Sequence, residues 1–176
     1  MKLLYFSGFS LIGESEIFNE YIIRNDVTAS GFSYGAIKLV ENIITGAYDS
    51  EHFKKRIDKV QLFSPAYFND KDEKFKRMQL MFFKKDSRAY TDNFVKNCGF
   101  SEEEKEKYFS IGAYEELEDL LYYEWNAQKL EIIKKKNIIV ETYLGGNDKI
   151  INSEEALKFF RQFGDVYFIK EANHRL

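Results

Sequence analysis

Between residues 27 and 46 the chain passes from a short apolar run (Val27, Thr28, Ala29) through Gly31-Phe32-Ser33-Tyr34-Gly35 into a stretch of helical periodicity (Ala36, Ile37, Leu39, Val40, Ile43, Ile44). A strand that becomes a helix over five residues has almost no room at the bend. Glycines two positions either side of the serine remove side chains that would collide with the neighbouring strand and helix, and the serine itself takes strained backbone angles. Its hydroxyl then projects above a sheet edge, close to a helix N-terminus that favours developing negative charge. Ser33 is therefore a candidate nucleophile. A plain βα turn can carry the same five letters, so the reading depends on partners elsewhere in the chain.

The remaining periodicities set this bend in an alternating array. Residues 2–7 read as a first strand closed by Ser7-Gly8-Phe9-Ser10, and residues 14–24 as a helix with Ile17, Tyr21 and Ile22 on one face. Residues 26–32 form the strand entering the bend and 34–46 the helix leaving it. Lys59 to Phe63 is a third strand, ended by Ser64-Pro65 with the only proline of the chain. Asn137 to Leu144 is β-branched and apolar, stopped by Gly145-Gly146-Asn147-Asp148. Ser153-Glu154-Glu155 caps a helix running to about Phe163, Gly164 ends it, and Val166 to Ile169 makes a last strand before Asn173-His174. Strands separated by helices predict an α/β fold: a mostly parallel sheet of about five strands, right-handed crossovers and helices on both faces. Any ligand crevice then lies beyond the carboxyl ends of the strands.

Residues 67–130 break this rhythm. They are rich in helix formers and sharply divided in charge: Lys71 to Arg88 holds seven basic against three acidic residues, and Ser101 to Glu124 nine acidic against two basic. They read as a helical cap inserted between two strands, with residues 1–66 and 131–176 forming the core.

Composition excludes several classes. A net charge of −3 carries no global signature of nucleic-acid binding. No apolar run approaches the roughly 18 residues of a membrane span, and the apolar start Met1 to Phe6 breaks at Ser7-Gly8 without a cleavage pattern, so it reads as a buried strand. The single cysteine, Cys98, cannot form an internal disulfide, which suits a reducing, cytoplasmic compartment and a structural thiol.

Ser33, Asp148 and His174 each follow a strand at its carboxyl end, in the order nucleophile, acid, base. A serine hydroxyl needs an adjacent base to attack at neutral pH, and the base needs an orienting acid. Of the two histidines, His52 stands in the charged stretch Glu51 to Arg56 and reads as solvent-exposed, which leaves His174 as the base. Asp148 competes with Asp70, just past the third strand, for the acid. The oxyanion hole is expected from backbone amides: that of Tyr34, just after the serine, and that of Phe9, where Gly8 lets the loop approach a substrate.

Ser7-Gly8-Phe9-Ser10, the Gly31–Gly35 bend, Phe63-Ser64-Pro65, Gly145-Gly146-Asn147-Asp148 and Asn173-His174 together resemble an α/β-hydrolase over essentially the full length. More narrowly, residues 29–38, Leu62 to Pro65, Phe75 to Leu80 with Lys85-Asp86, Tyr90 to Phe94 and Asp148-Lys149-Ile150 are similar to the small BioV-type pimeloyl-acyl-carrier-protein methyl ester esterases. The resemblance implies a reduced α/β-hydrolase fold and hydrolysis of the methyl ester that shields the growing pimeloyl chain in biotin synthesis. It implies an acyl-carrier protein as partner, with no cofactor and no metal. Two departures stand out: Ser7 occupies a position often held by histidine, and the strand–helix unit usual between the oxyanion loop and the bend is missing. Phe75, Met78, Leu80, Met81, Phe82 and Phe83, beside Lys74, Lys76, Arg77, Lys84, Lys85 and Arg88, suit an apolar channel with a basic rim for an acyl chain on an acidic carrier. Lys76, Arg77 and Arg88 are the candidate docking residues. Thioester hydrolysis, general short-chain esterase activity and non-catalytic carrier binding remain open on these residues alone.

Overall fold

The computed structural model describes residues 3–47 and 56–176, so His52 lies outside the described residues. Five strands, β1 (Leu4–Phe6), β2 (Thr28–Phe32), β3 (Lys59–Phe63), β4 (Ile139–Gly145) and β5 (Asp165–Ile169), form one wholly parallel sheet in chain order. Its register sets Phe32, Phe63 and Tyr143 abreast at the carboxyl edge. The α-helices among the described residues are α1 (Tyr34–Thr45), α2 (Glu73–Lys85), α3 (Ser87–Cys98), α4 (Glu102–Tyr108), α5 (Tyr114–Tyr122), α6 (Ala127–Lys135) and α7 (Ser153–Phe160).

Successive strand residues point to opposite faces. Ala29, Val60, Leu62, Val140 and Leu144 line one face, where α1, α6 and α7 add Leu39, Leu130 and Phe160, all fully buried or nearly so. The other face presents Phe32, Gln61, Phe63, Glu141 and Tyr143, and a 3-10 turn at Glu14–Phe18 covers it. Phe18 stacks on Phe63 with ring centroids 4.5 Å apart and packs against Phe32 at 5.1 Å.

Here the structure corrects the sequence reading. Residues 14–24 do not form an α-helix. The side-chain amide of buried Gln61 accepts from the Ile23 N–H at 2.8 Å and donates to the Tyr21 carbonyl at 3.0 Å, taking the backbone groups a continuing helix would use itself. Where the sequence pattern set a helix on this face, the structure has the 3-10 turn Glu14–Phe18, and Val95 and Cys98 of α3 and Tyr108 of α4 join its cluster. The β1–β2 and β2–β3 connections step the same way across the sheet but over opposite faces, so they have opposite hands, and the right-handed rule cannot hold for both. Helix α1 lies over β1, β2 and β3 together, and the β1–β2 connection passes on the opposite face.

Between β3 and β4, helices α2, α3 and α4 start from strong local signals. Asp72 and Asp86 accept from the Phe75 and Ala89 amides at 2.8 and 2.9 Å, and Ser101 with Glu104 closes a capping box, each cap worth about 1 kcal/mol. With α5 they meet the loops at the carboxyl ends of the strands: Phe83 and Phe94 pack on Phe9, and the Tyr34 hydroxyl donates to Asp119 at 2.9 Å. Helix α6, which straddles the expected core boundary at residue 130, packs on α1 and β4. No helix among the described residues is long and apolar enough to cross a membrane.

Candidate active site

Ser33 sits between β2 and α1 at φ 53° and ψ −112°, a conformation that costs an L-residue roughly 1–3 kcal/mol. The two glycines permit it. A Cβ on Gly31 would stand 2.5 Å from the Gly35 carbonyl oxygen, and one on Gly35 would stand 1.9 Å from that of Phe6. The turn is anchored to β3 by the Ser33 N–H donating to the Phe63 carbonyl at 2.9 Å and by the Ala66 N–H donating to the Ser33 carbonyl at 3.2 Å.

β5 lies three strands from β2, about 14 Å at ordinary strand spacing, so the loop after β5 must run back across the sheet edge for His174 to reach Ser33. It does so over the end of β4, held by the Gly146 N–H on the Ile169 carbonyl at 2.9 Å and the Asn147 N–H on the Ala172 carbonyl at 2.8 Å. Gly145 makes the crossing possible, because a Cβ there would stand 2.1 Å from the Asn173 carbonyl oxygen. His174 Nε2 lies 3.0 Å from Ser33 Oγ, and Nδ1 lies 2.6 Å from Asp148 Oδ2. His174 is 0% and Ser33 2% exposed. The second carboxylate oxygen of Asp148 accepts from the Ile150 and Ile151 amides at 2.7 and 3.0 Å. Asp70 pairs instead with Lys71 at 3.0 Å. The arrangement can pass the Ser33 proton to His174 while Asp148 orients and balances the imidazole.

Tyr34 supplies the first N–H of α1, one of those a helix start leaves without an intrahelical acceptor. The Phe9 N–H, in the loop after β1, has no hydrogen-bond partner among the described residues. Cys98 is buried nearby. Burial first, and the charge of Asp148 second, push its thiol well above the usual range, so it stays a neutral S–H.

The apolar residues of α2 divide three ways. Leu80 and Phe83 belong to the core, Met78, Met81 and Phe82 are exposed, and of the expected channel residues Phe75 alone lines the adjoining cavity. That cavity, of about 180 Å³, lies between α2, α3 and the loop after Asp148; its wall is mixed, with Phe68, Phe75, Phe94, Leu121 and Ile150 beside Gln79, Tyr90, Asn93, Asn97 and Lys149. The helical spacing of α2 was visible in sequence, but which side of it faced the sheet was not. Lys76 lies over the Tyr122 ring at 5.3 Å, Arg77 pairs with Glu73 at 2.8 Å, and Arg88 is exposed on a groove with Asp86, Asp92, Glu102 and Glu106. A contact with no sequence signal ties the His174 loop to α3 and α4: Arg175 pairs with Glu104, and its N–H donates to the Cys98 carbonyl at 3.1 Å.

This is a reduced α/β-hydrolase fold, five parallel strands with a serine bend after the second. Solved structures share it. BioG from Haemophilus influenzae is similar at a TM-score of 0.58 and 15% identity, over 99% of this chain and 88% of that one. An esterase from Exiguobacterium antarcticum matches at 0.63 and 13%, over 91% of this chain and 63% of its own, and a bromoperoxidase from Bacillus anthracis at 0.63 and 20%, over 92% and 64%. No family model and no curated protein matches the sequence.

Proposed function

We propose that the chain is a serine carboxylesterase acting through Ser33, His174 and Asp148, and that its substrate is the methyl ester of pimeloyl-acyl-carrier protein. The observation that carries the catalytic reading is the buried histidine spanning a serine hydroxyl and a carboxylate, each within hydrogen-bond distance. Ser33 Oγ attacks the ester carbonyl carbon while its proton passes to His174 Nε2. The oxyanion is received by the Phe9 and Tyr34 amides. Collapse breaks the carbon–methoxy bond, His174 returns the proton, and methanol leaves. Water, deprotonated by the same nitrogen, then attacks the acyl-enzyme, releasing the free acid and restoring Ser33.

The substrate reading is supported by the resemblance to the BioV-type esterases and by two physical features. A cavity with apolar residues Phe68, Phe75, Phe94, Leu121 and Ile150 and polar residues Gln79, Asn93 and Asn97 in its wall adjoins the loop after Asp148. Helix α2 also exposes Lys74, Met78, Met81, Phe82 and Lys85 at helical spacing, an apolar and basic stripe suited to an acidic carrier. The deciding test compares kcat/KM on the carrier methyl ester, the matching carrier thioester and a p-nitrophenyl ester. The methyl ester should be preferred over the thioester by at least about tenfold. A faster thioester would make the protein a thioesterase, and tight carrier binding without turnover would make it a binding protein.

Docking is tested separately. Reversing charge at Lys76, Arg77 and Arg88 together should raise KM for the carrier-linked ester about tenfold, roughly 1.4 kcal/mol, and leave a small ester unaffected. Equal effects on both substrates would remove these residues from the docking surface.

A further inference from the structure

The loop that carries Phe9 is held from beneath by a carboxyl group with no part in the steps above. Glu14 opens the 3-10 turn and is 0% exposed. Its Oε1 accepts from the Gly8 N–H at 2.8 Å and from the Tyr5 hydroxyl at 2.8 Å, while Oε2 has no hydrogen-bond partner among the described residues. Burial first, and the Glu14 carboxyl second, push the Tyr5 phenol well above its usual range, so it remains a donor to this oxygen. A buried carboxyl group with one oxygen unmatched carries a desolvation cost, and an apolar replacement would leave the Gly8 N–H and the Tyr5 hydroxyl without their acceptor. The fold bears that cost for a reason.

The reason lies one peptide further on. The bond to Glu14 fixes the Ser7–Gly8 peptide plane. The Gly8 carbonyl accepts from the Leu11 N–H at 3.3 Å, which fixes the next plane, Gly8–Phe9. In a trans peptide the N–H points opposite to the C=O, so the Phe9 N–H is turned away from Leu11 and left unpartnered. The loop begins against the serine bend, since a Cβ on Gly35 would stand 2.7 Å from the Ser7 carbonyl oxygen. Its outer side is held by the Ser110 N–H on the Ser10 carbonyl and the Gly112 N–H on the Ser10 hydroxyl, both at 3.0 Å. Just ahead of the Phe9 amide, the Gly13 N–H holds the Ser7 hydroxyl at 3.1 Å and Glu14 holds the Gly8 N–H from the buried side at 2.8 Å.

We propose that Glu14 is a positioning residue for the reaction, setting through Gly8 the direction in which the Phe9 N–H meets the oxyanion. It touches no reacting atom, and its role rests on the esterase reading. Glu14→Gln keeps an oxygen for both donors, whereas Glu14→Met fills similar space with none. With a p-nitrophenyl ester, the glutamine variant should keep kcat within about threefold, while the methionine variant should lose about 30- to 100-fold in kcat at unchanged KM. Affinity for a boronic acid that mimics the tetrahedral intermediate should fall by the same factor in Glu14→Met and not in Glu14→Gln. Should Glu14→Met fail to fold, Glu14→Asp withdraws the oxygen by one methylene and should cost about tenfold in kcat alone. A folded Glu14→Met or Glu14→Asp with wild-type kcat and boronate affinity would overturn the proposal, as would equal losses in the methionine and glutamine variants. Wild-type protein that turns over no ester would overturn the esterase reading as well, which separates the two failures.

Discussion

Ser33→Ala is expected to abolish ester hydrolysis. Its kcat should fall roughly 10⁶-fold, and a fluorophosphonate probe that marks the wild type should leave the variant unmarked. The hydroxyl lies 3.0 Å from His174 Nε2, and without it the histidine has no attached nucleophile to activate. What survives is the contribution of the oxyanion amides and of binding, roughly 10³–10⁴ over water. The variant should fold as well as the parent, because alanine keeps the Cβ that the bend already accommodates and needs no new space. His174→Ala should be nearly as damaging, and the double variant no slower than the worse single one, since the two residues act in one step. Labelling that persists in Ser33→Ala would remove this serine as the nucleophile.

The parts of the site that were legible in sequence are those encoded locally. A bend that requires Gly31 and Gly35, and a crossing that requires Gly145, leave glycines at fixed offsets from the residues they serve, and the backbone atoms they admit lie closer than any Cβ could. The positions of the strands along the chain were legible for the same reason, as most of the apolar runs are closed by a turn signal of their own. What could not be read was set at a distance. Gln61 interrupts a helix 38 residues earlier in the chain by taking its backbone groups, and nothing near Ile23 announces it. The opposite hands of the first two connections are a fact about packing on the two faces of the sheet. Glu14 looked like one more acidic residue on a helix, because its partners Tyr5 and Gly8 lie on a strand and a loop that the sequence does not visibly fold around it. Even the apolar stripe of α2 was divided correctly only once its buried side was known.

Asp148→Asn should lower kcat about 10⁴-fold, and Asp70→Asn less than about twofold, with stability little changed in either. The difference follows from what each carboxylate touches. Asp148 Oδ1 is held by the Ile150 and Ile151 N–H groups at 2.7 and 3.0 Å, and both are donors. An asparagine here must keep its oxygen toward them, so its NH₂ turns to His174 Nδ1, where Oδ2 stood at 2.6 Å. Two donors cannot face each other. The imidazole must then expose a bare Nδ1 and carry its proton on Nε2, the nitrogen that faces Ser33, so it can no longer accept from the hydroxyl. One atom exchanged at the far side of the ring thereby disarms the near side, without moving a side chain. Asp70 bonds only Lys71 in this region, and its amide would cost one ion pair. The measurement is kcat for both variants on one ester at one pH, with ¹⁵N chemical shifts of the His174 ring reporting the tautomer. Wild-type kcat in Asp148→Asn, or a ring proton still on Nδ1, would take the acid's role away from Asp148.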